Sequence, residues 1–336
     1  MRFSEQAAVG YAFGTSLLSY LVDGPPRPFS ATFAVTNRCN LRCSYCNCPY
    51  IDPTDLPLAT VETLIDRLHT MGIRRLGLAG GEPMLRKDLA DIIALAKARG
   101  MFVTVNSNLT LYHKRPEALV DADVVYTSLD GDEEAHEAAR GGEKAYAGVP
   151  EAIRDLIARG KDLIAICVVT EHSFEQSEYL LAQAEELGFR VHFQPQCLDT
   201  ENVRGGVPES ITNQQFRAFW QGILEQKRRG RPIISTTPYL KFLTQWQDFS
   251  ISTLYDAASR CGAGRGYFYI DPQANAYPCT WTKGKTPPVN LLRDDWRTAW
   301  DRETPCTVCS VGPMLEFNLL FQRPLSAALE AARNYK

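Results

Sequence analysis

The sequence predicts an α/β protein: a partial (β/α)6 barrel of the TIM-like kind, followed by a small C-terminal domain made of a β-hairpin and a helix. Three observations carry this expectation. Apolar, β-branched runs alternate with amphipathic stretches of helical period from residue 31 to about residue 195, the pattern of a parallel sheet with helices outside it. The alternation gives six units, fewer than the eight of a closed barrel, so a curled and partly open sheet is expected. Past residue 256 the composition shifts to Gly, aromatic and Cys residues.

Residues 1–30 form an N-terminal helical segment. Ala7 to Val22 is uncharged and fairly apolar, but its 16 residues fall short of the roughly 20 that span a bilayer. It reads as a helix packed on the domain. The alternative is an interfacial helix with weak membrane association.

Strands are expected at Ala31–Thr36, Arg75–Ala79, Phe102–Asn106, Val124–Leu129, Leu163–Thr170 and Phe189–Pro195. Between them, Thr60–Thr70 spaces Val61, Leu64, Ile65 and Leu68 at helical intervals, and Leu89–Arg99 does so with Ile92, Ile93 and Leu95 before Gly100 stops it. Helices at Tyr146–Arg159 and Glu175–Leu187 end at Gly160 and Gly188. Residues 211–255 read as a helical linker, with Phe216, Phe219, Trp220, Ile223 and Leu224 on one stripe. The expected division is therefore 1–30, 31–210, 211–255 and 256–336.

Composition bounds the function. With 45% hydrophobic and 22% charged residues the chain is an ordinary soluble globular protein. A net charge of −3 argues against a dedicated nucleic-acid binder, which needs a large basic field. The basic run Lys227–Arg231 reads as the solvated end of a helix. Ten cysteines gathered at short intervals, with no signal peptide, favour metal binding in a reducing compartment, and a cytoplasmic location is expected.

Cys39, Cys43 and Cys46 stand in the spacing C-x3-C-x2-C directly after the first strand. Three thiolates so close can wrap a four-cornered [4Fe–4S] cube and leave one iron without a protein ligand. Clusters that only carry electrons have four protein ligands, so chemistry at the open iron is expected. In sheets of this type the chemistry sits at the carboxyl ends of the strands, where this loop falls.

The loop resembles the radical S-adenosylmethionine (SAM) superfamily, whose hallmark is C-x3-C-x-aromatic-C; Tyr45 fills the aromatic place. Later segments resemble the family in the same order. Gly80, Gly81, Glu82 and Pro83 follow the second strand, where the family lines the amino group of SAM. Glycine lets backbone approach closely, and a carboxylate accepts from a cationic amine. The resemblance implies SAM contacts from Asn106 and Asn108, which alternation puts on one face with Ser107 on the other. It implies a cofactor or substrate role for Ser128 and Asp130. His136, Arg140 and Gly141 resemble a family stretch in which Arg140 would pair the SAM carboxylate, with Glu137 in place of the usual Asp. On the sixth strand His192 and Gln194 are candidates to meet adenine or substrate. Cys197, just beyond it, is a candidate hydrogen-atom donor or a buried structural thiol.

A second cysteine set follows: Cys261, Cys279, Cys306 and Cys309. The arm between the first two reads as a hairpin with Pro272, Gln273, Ala274 and Asn275 at its tip. The layout resembles the twitch half of the SPASM extensions of this superfamily and implies a second, fully ligated auxiliary [4Fe–4S] cluster. A zinc ribbon is the competing reading.

The resemblance implies reductive cleavage of SAM to a 5′-deoxyadenosyl radical, which takes a hydrogen atom from a substrate. A reductase or a flavodoxin- or ferredoxin-like electron donor is then required. Residues 1–30 leave little room ahead of the first strand for a leader-peptide recognition domain, so a small-molecule substrate is expected first. Maturation of a ribosomally made peptide is the alternative, and a bare electron carrier is the remote one.

Overall fold

The computed structural model describes residues 3–22, 24–196, 211–246, 248–249, 261–295, 309 and 312–322. In chain order the elements are α1 (Phe3–Leu21), β1 (Ser30–Thr36), α2 (Leu58–Thr70), β2 (Arg75–Gly80), α3 (Leu89–Ala98), β3 (Phe102–Ser107), β4 (Val124–Ser128), α4 (Glu133–Arg140) and α5 (Val149–Ala158). They continue as β5 (Asp162–Val169), α6 (Ser177–Leu187), β6 (Arg190–Pro195), α7 (Asn213–Arg228), α8 (Thr237–Gln245), β7 (Tyr267–Ile270), β8 (Asn275–Tyr277), β9 (Val289–Asn290) and α9 (Gly312–Gln322). The six expected strands and the alternation with helices are present, in the fold class of a partial (β/α)6 barrel.

The chain divides into two compact units. The first gathers Met1–Asn40, Asn47–Tyr126 and Gly262–Pro305; the second gathers Leu41–Cys46, Thr127–Cys261 and Cys306–Lys336.

In the first unit the strand order is β3-β2-β1-β7-β8-β9. β1 runs parallel to β2 and to β7, and β2 parallel to β3, while β7–β8 and β8–β9 are antiparallel. Phe33 pairs with Leu78 and Ala34 with Ala79; the register then slips, so that Thr36 meets Gly80. This bulge re-aims the end of β1 just before the cysteine loop. The strands are buried on both sides, as parallel strands are: Ala31, Phe33, Ala34 and Val35 have no exposed surface. Val61, Leu64, Ile65 and Leu68 form the buried stripe of α2, each worth about 1.5–3 kcal/mol of burial.

The expected C-terminal hairpin is β7–β8, but it does not stand in a body of its own. β7 continues the sheet beside β1, with Ser30 opposite Tyr267 and Phe33 opposite Ile270. Its turn is organised by Asp271, whose carboxylate accepts from the N–H groups of Gln273 and Asn275 at 2.9 Å each.

In the second unit β5 pairs with β6 in parallel, Ile166 opposite His192 and Val168 opposite Gln194. The end of β4 joins β5 through the Leu129 N–H to the Ile166 carbonyl at 3.1 Å. On α7, Phe216, Trp220, Ile223 and Leu224 are buried; Phe216 packs on Phe249 and Phe219 on Phe193. The expected continuous helical linker is broken between α7 and α8. Gly230 has φ 86°, Pro232 lacks an N–H, and Ile233 bridges to Val191 instead.

Helix α4 has no apolar stripe to announce it, because its apolar positions are only alanines. Its ends are nevertheless marked in the sequence: Asp132 caps it by accepting from the Ala135 N–H, and Gly141 stops it at φ 79°.

Among the described residues no helix is long and apolar enough to cross a membrane. α1 leaves Tyr11, Leu18 and Leu21 exposed, and Val22 just after it is exposed as well.

Candidate active site

The cysteine loop leaves the end of β1, and within it the chain passes from the first unit, with Cys39, to the second, with Cys43 and Cys46. None of the eight described cysteines is in a disulfide.

In the first unit the base of this loop is packed against the Gly80–Pro83 turn. The Gly81 N–H donates to the Thr36 carbonyl and the Glu82 N–H to the Arg38 carbonyl, both at 2.8 Å. A Cβ on Gly80 would lie 2.1 Å from the Thr36 oxygen, and one on Gly81 would lie 2.2 Å from the Arg38 oxygen. These glycines are therefore required by the chain's own loop, before any ligand is considered.

Glu82 is buried, and its carboxylate is the hub of the turn. Oε1 accepts from the Met84 N–H at 2.9 Å and the Ser107 hydroxyl at 2.8 Å; Oε2 accepts from the Asn108 N–H at 2.7 Å. Burial pushes its carboxyl up to about 6, against the pull of these donors.

Asn106 and Asn108 do not share a face, contrary to the alternation argument. Asn106 is exposed, whereas Ser107 and Asn108 are both buried. The strand period ends at Ser107, and Leu109 follows in the left-handed region at φ 60°, so the backbone turns Asn108 inward. There Asn108 donates to Asn40 Oδ1 at 3.1 Å, Asn40 donates to Thr110 Oγ1 at 2.8 Å, and Thr110 donates to Asn108 Oδ1 at 2.7 Å. This ring ties the residue after Cys39 to the end of β3. Asn40 and Thr110 escape a sequence reading because each acts through a neighbour.

In the second unit Asp130 is fully buried. It accepts from Arg140 Nε at 2.5 Å and Nη2 at 3.1 Å, and from the Val168 N–H at 2.9 Å. Its own N–H donates to His136 Nδ1 at 3.2 Å, and burial holds that imidazole down at about 4, hence neutral. The Arg140 guanidinium lies 5.5 Å from the centre of the Tyr45 ring. Burial pushes the Cys43 thiol up, with Arg140 opposing it. The expected carboxylate-binding arginine is thus already engaged within the protein. Gly141 is forced here too, since a Cβ would lie 2.0 Å from the Arg42 oxygen.

Ser128 is half-buried. His192 is buried, with Nδ1 at 2.8 Å from the Ser235 hydroxyl and its ring stacked on Tyr239; burial holds it down at about 4. The face carrying His192 and Gln194 is therefore covered in part by α8, rather than open along its length. Cys261 lies beside Asn318 of α9, Sγ to Nδ2 3.4 Å. Cys279 is buried, its N–H donating to the Thr282 hydroxyl at 3.2 Å and its carbonyl accepting from it at 2.8 Å. Cys309 is half-buried. Cys197 and Cys306 lie outside the described residues. Among the described residues no three His, Cys, Asp or Glu side chains are gathered closely enough to hold a metal ion; the ligand sets rest on the spacing of their cysteines.

A family profile described as the Radical SAM superfamily matches residues 33–184, the span that holds the loop, the Glu82 turn and the Asp130–Arg140 pair. Residues 33–184 are a radical SAM domain. It is 26% identical over 272 residues to the mycofactocin maturase MftC of Mycobacterium ulcerans, covering 78% of this chain and 71% of that protein. It is 30% identical over 168 residues to the PqqA peptide cyclase of Granulibacter bethesdensis, where it spans 45% of that protein, about half its length. The crystal structure of Streptococcus suis SuiB superposes with a TM-score of 0.65 at 16% identity, over 83% of this chain and 66% of that one, and shows the common fold.

Radical SAM enzymes use a [4Fe–4S] cluster and SAM. Of what such a group needs, the chain supplies three thiols in one loop at the spacing C-x3-C-x2-C and a glycine turn seated on the loop's base.

Proposed function

We propose that this radical SAM enzyme takes a hydrogen atom from a C–H bond of a peptide substrate. The observation that carries the radical reading is the three-cysteine loop at the end of β1, seated on the buried Glu82 turn. The peptide is supported by the relatives: one is named a peptide cyclase, and SuiB has been solved bound to its precursor peptide SuiA. This replaces the small-molecule substrate as the first choice.

In this reading Cys39, Cys43 and Cys46 hold the cluster. When bound, the cluster would supply one electron for reductive cleavage of SAM. The protein orients and excludes water. Glu82 fixes the turn; its carbonyl-bearing backbone and the exposed Asn106 are the groups offered to SAM, while Asn108 holds the loop. Ser128, His192 and Gln194 are assigned to adenine or substrate. Cys261, Cys279, Cys306 and Cys309 are assigned to an auxiliary [4Fe–4S] cluster that accepts an electron from substrate, and Cys197 to substrate. A flavodoxin- or ferredoxin-like protein supplies the electron. The exposed apolar residues of α1 support weak attachment to a lipid surface.

The test is anaerobic reconstitution with iron and sulfide, then dithionite and SAM. Release of 5′-deoxyadenosine is expected. Deuterium passing into it from a labelled peptide, and not from labelled sugars or cyclitols, supports the peptide reading; the reverse pattern overturns it.

A further inference from the structure

We propose that His192 and Gln194 grip the main chain of the peptide substrate, His192 through a donating Nε2–H and Gln194 through an accepting Oε1, and that Ser235 positions His192 for this. The inference rests on the reading of the substrate as a peptide and adds to it the chemical group that is held.

Both residues lie on one face of β6. Phe193 between them turns the other way, onto Phe219 of α7, and alternation puts residues 192 and 194 together on the opposite face. The chain after α7 returns along this strand: the Val191 N–H donates to the Pro232 carbonyl at 2.8 Å, and the Ile234 N–H to the Val191 carbonyl at 2.9 Å. That pairing brings Ser235 to His192, its Oγ 2.8 Å from Nδ1. Tyr239, in the first turn of α8, lays its ring against the imidazole, with 5.6 Å between centroids and 27° between planes. The start of α8 is itself pinned, since the Thr236 N–H and hydroxyl donate to the Glu316 carboxylate of α9 at 2.8 and 2.6 Å. The imidazole is thus held both at its edge and on its face.

The hydrogen bonds also fix its tautomer. Ser235 is buried, and among the described residues the only acceptor its hydroxyl meets is His192 Nδ1. A buried hydroxyl places its hydrogen on such an acceptor, so the ring proton sits on Nε2. Burial keeps the ring neutral. Nε2 is then a buried donor that meets no acceptor among the described residues, and Gln194 Oε1 is a buried acceptor that meets no donor there. Buried polar atoms are nearly always paired. Two orphans of opposite kind on one strand face therefore point to a ligand. Gln194 is half-buried, and with Oε1 tied to no donor its amide can turn toward that ligand without breaking a bond.

The chemistry of the pair selects a peptide main chain. Donor and acceptor are both neutral, which suits an amide better than a carboxylate, a phosphate or an ammonium group. They stand two residues apart on a strand, about 6.5 Å along it, and an extended peptide repeats its main-chain groups on one side at the same interval. Adenine presents its donor and acceptor side by side, where a single Asn or Gln amide meets both; it would leave His192 unpaired.

The experiment is nitrogen-15 magnetic resonance of the reconstituted full chain labelled at histidine, with the His192 signals assigned by their loss in His192→Phe. The probes are trialanine blocked at both ends, which is little more than main chain, and methyl glucoside. The wild type is expected to carry the ring proton on Nε2, and the blocked peptide to shift that signal saturably while the glucoside does not. Gln194→Leu and Ser235→Ala are each expected to weaken the peptide about fivefold, as loss of one neutral hydrogen bond does, and Ser235→Thr, which keeps the hydroxyl, to restore it. SAM binding is expected to be unchanged in all of them. Gln194→Leu, at a half-buried position, decides the matter if Ser235→Ala does not fold. A His192 signal that ignores the blocked peptide overturns the proposal, as does a ring proton on Nδ1 or a shift caused by the glucoside alone. Loss of SAM affinity in Gln194→Leu also overturns it and gives the pair to adenine. Deuterium passing into 5′-deoxyadenosine from labelled sugars and not from peptides is a failure of the underlying peptide reading, measured separately from these signals.

Discussion

Asn108 donates its side-chain amide to Asn40 Oδ1 at 3.1 Å, tying the end of β3 to the residue that follows Cys39. Its Oδ1 meanwhile accepts from the Thr110 N–H at 3.0 Å and the Thr110 hydroxyl at 2.7 Å. Asn108→Ala therefore leaves buried donors without acceptors and is expected to cost about 1–3 kcal/mol of stability. Asn106→Ala, at an exposed position two residues earlier, is expected to change stability by less than about 0.5 kcal/mol while weakening SAM binding about tenfold, roughly 1.4 kcal/mol. Thermal melts and SAM-binding isotherms of the two variants separate these roles; equal melts would remove the structural role from Asn108.

Glu82 makes stability depend on pH. Its folded carboxyl titrates at about 6, above the ordinary 4.5, because it is buried. A raised folded value means that its contribution is complete below about pH 4.5 and is lost as pH rises through 6. Taken at face value the shift is worth on the order of 2 kcal/mol. Glu82→Gln is expected to remove this slope. It also costs about 1–3 kcal/mol at every pH, because an amide N–H₂ then faces the Asn108 N–H. Urea titrations from pH 4.5 to 7.5 check both; a slope retained in the Gln variant assigns it to another group.

Much of the fold was legible in the sequence, for reasons that particular residues make plain. Cys39, Cys43, Cys46 and the Gly80–Pro83 turn announce themselves through local spacing. The six strands do so through apolar runs, because parallel strands are buried on both sides. What escaped depended on long-range pairing or on a single backbone angle. No local pattern places Tyr267–Ile270 beside Ser30–Phe33, since that register is set across the whole chain. The alternation on β3 failed at Asn108 because Leu109 takes φ 60°, a conformation its residue type does not advertise. Arg140 and Asp130 were each singled out in the sequence, but not as a pair: only the fold brings them together.

Glycine substitutions separate the site from the scaffold. Gly81→Ala places a Cβ 2.2 Å from the Arg38 oxygen and 2.7 Å from the Asn37 oxygen, both backbone atoms with no freedom to yield. It is expected to displace the cysteine loop and reduce the iron held by that loop to less than about a tenth of its wild-type value, a free-energy change of more than about 1.4 kcal/mol, so that total iron falls to about half. A methyl group added at Gly222, inside α7, would meet nothing within 4 Å, so Gly222→Ala is expected to stabilise the protein by up to about 1 kcal/mol. Iron content and melting temperature of the two variants, measured together, check this; wild-type iron uptake by Gly81→Ala would show that the turn is not seated on the loop as described.

The auxiliary cysteines are tested through Cys279, which is buried after β8 and held by Thr282. If Cys261, Cys279, Cys306 and Cys309 ligate a second [4Fe–4S] cluster, Cys279→Ala lowers iron from about eight to about four per chain. With SAM cleaved at the Cys39–Cys46 loop, as proposed, cleavage is expected to stay within about twofold, as for independent sites. Product formation is expected to stop, since the substrate radical loses its electron acceptor. Iron and acid-labile sulfide, 5′-deoxyadenosine and product are measured on one preparation. Zinc in the wild-type protein at one per chain, with four iron, would give this cysteine set to a zinc ribbon. Loss of SAM cleavage in a variant that retains its first cluster would show that the two sites do not divide the reaction in this way.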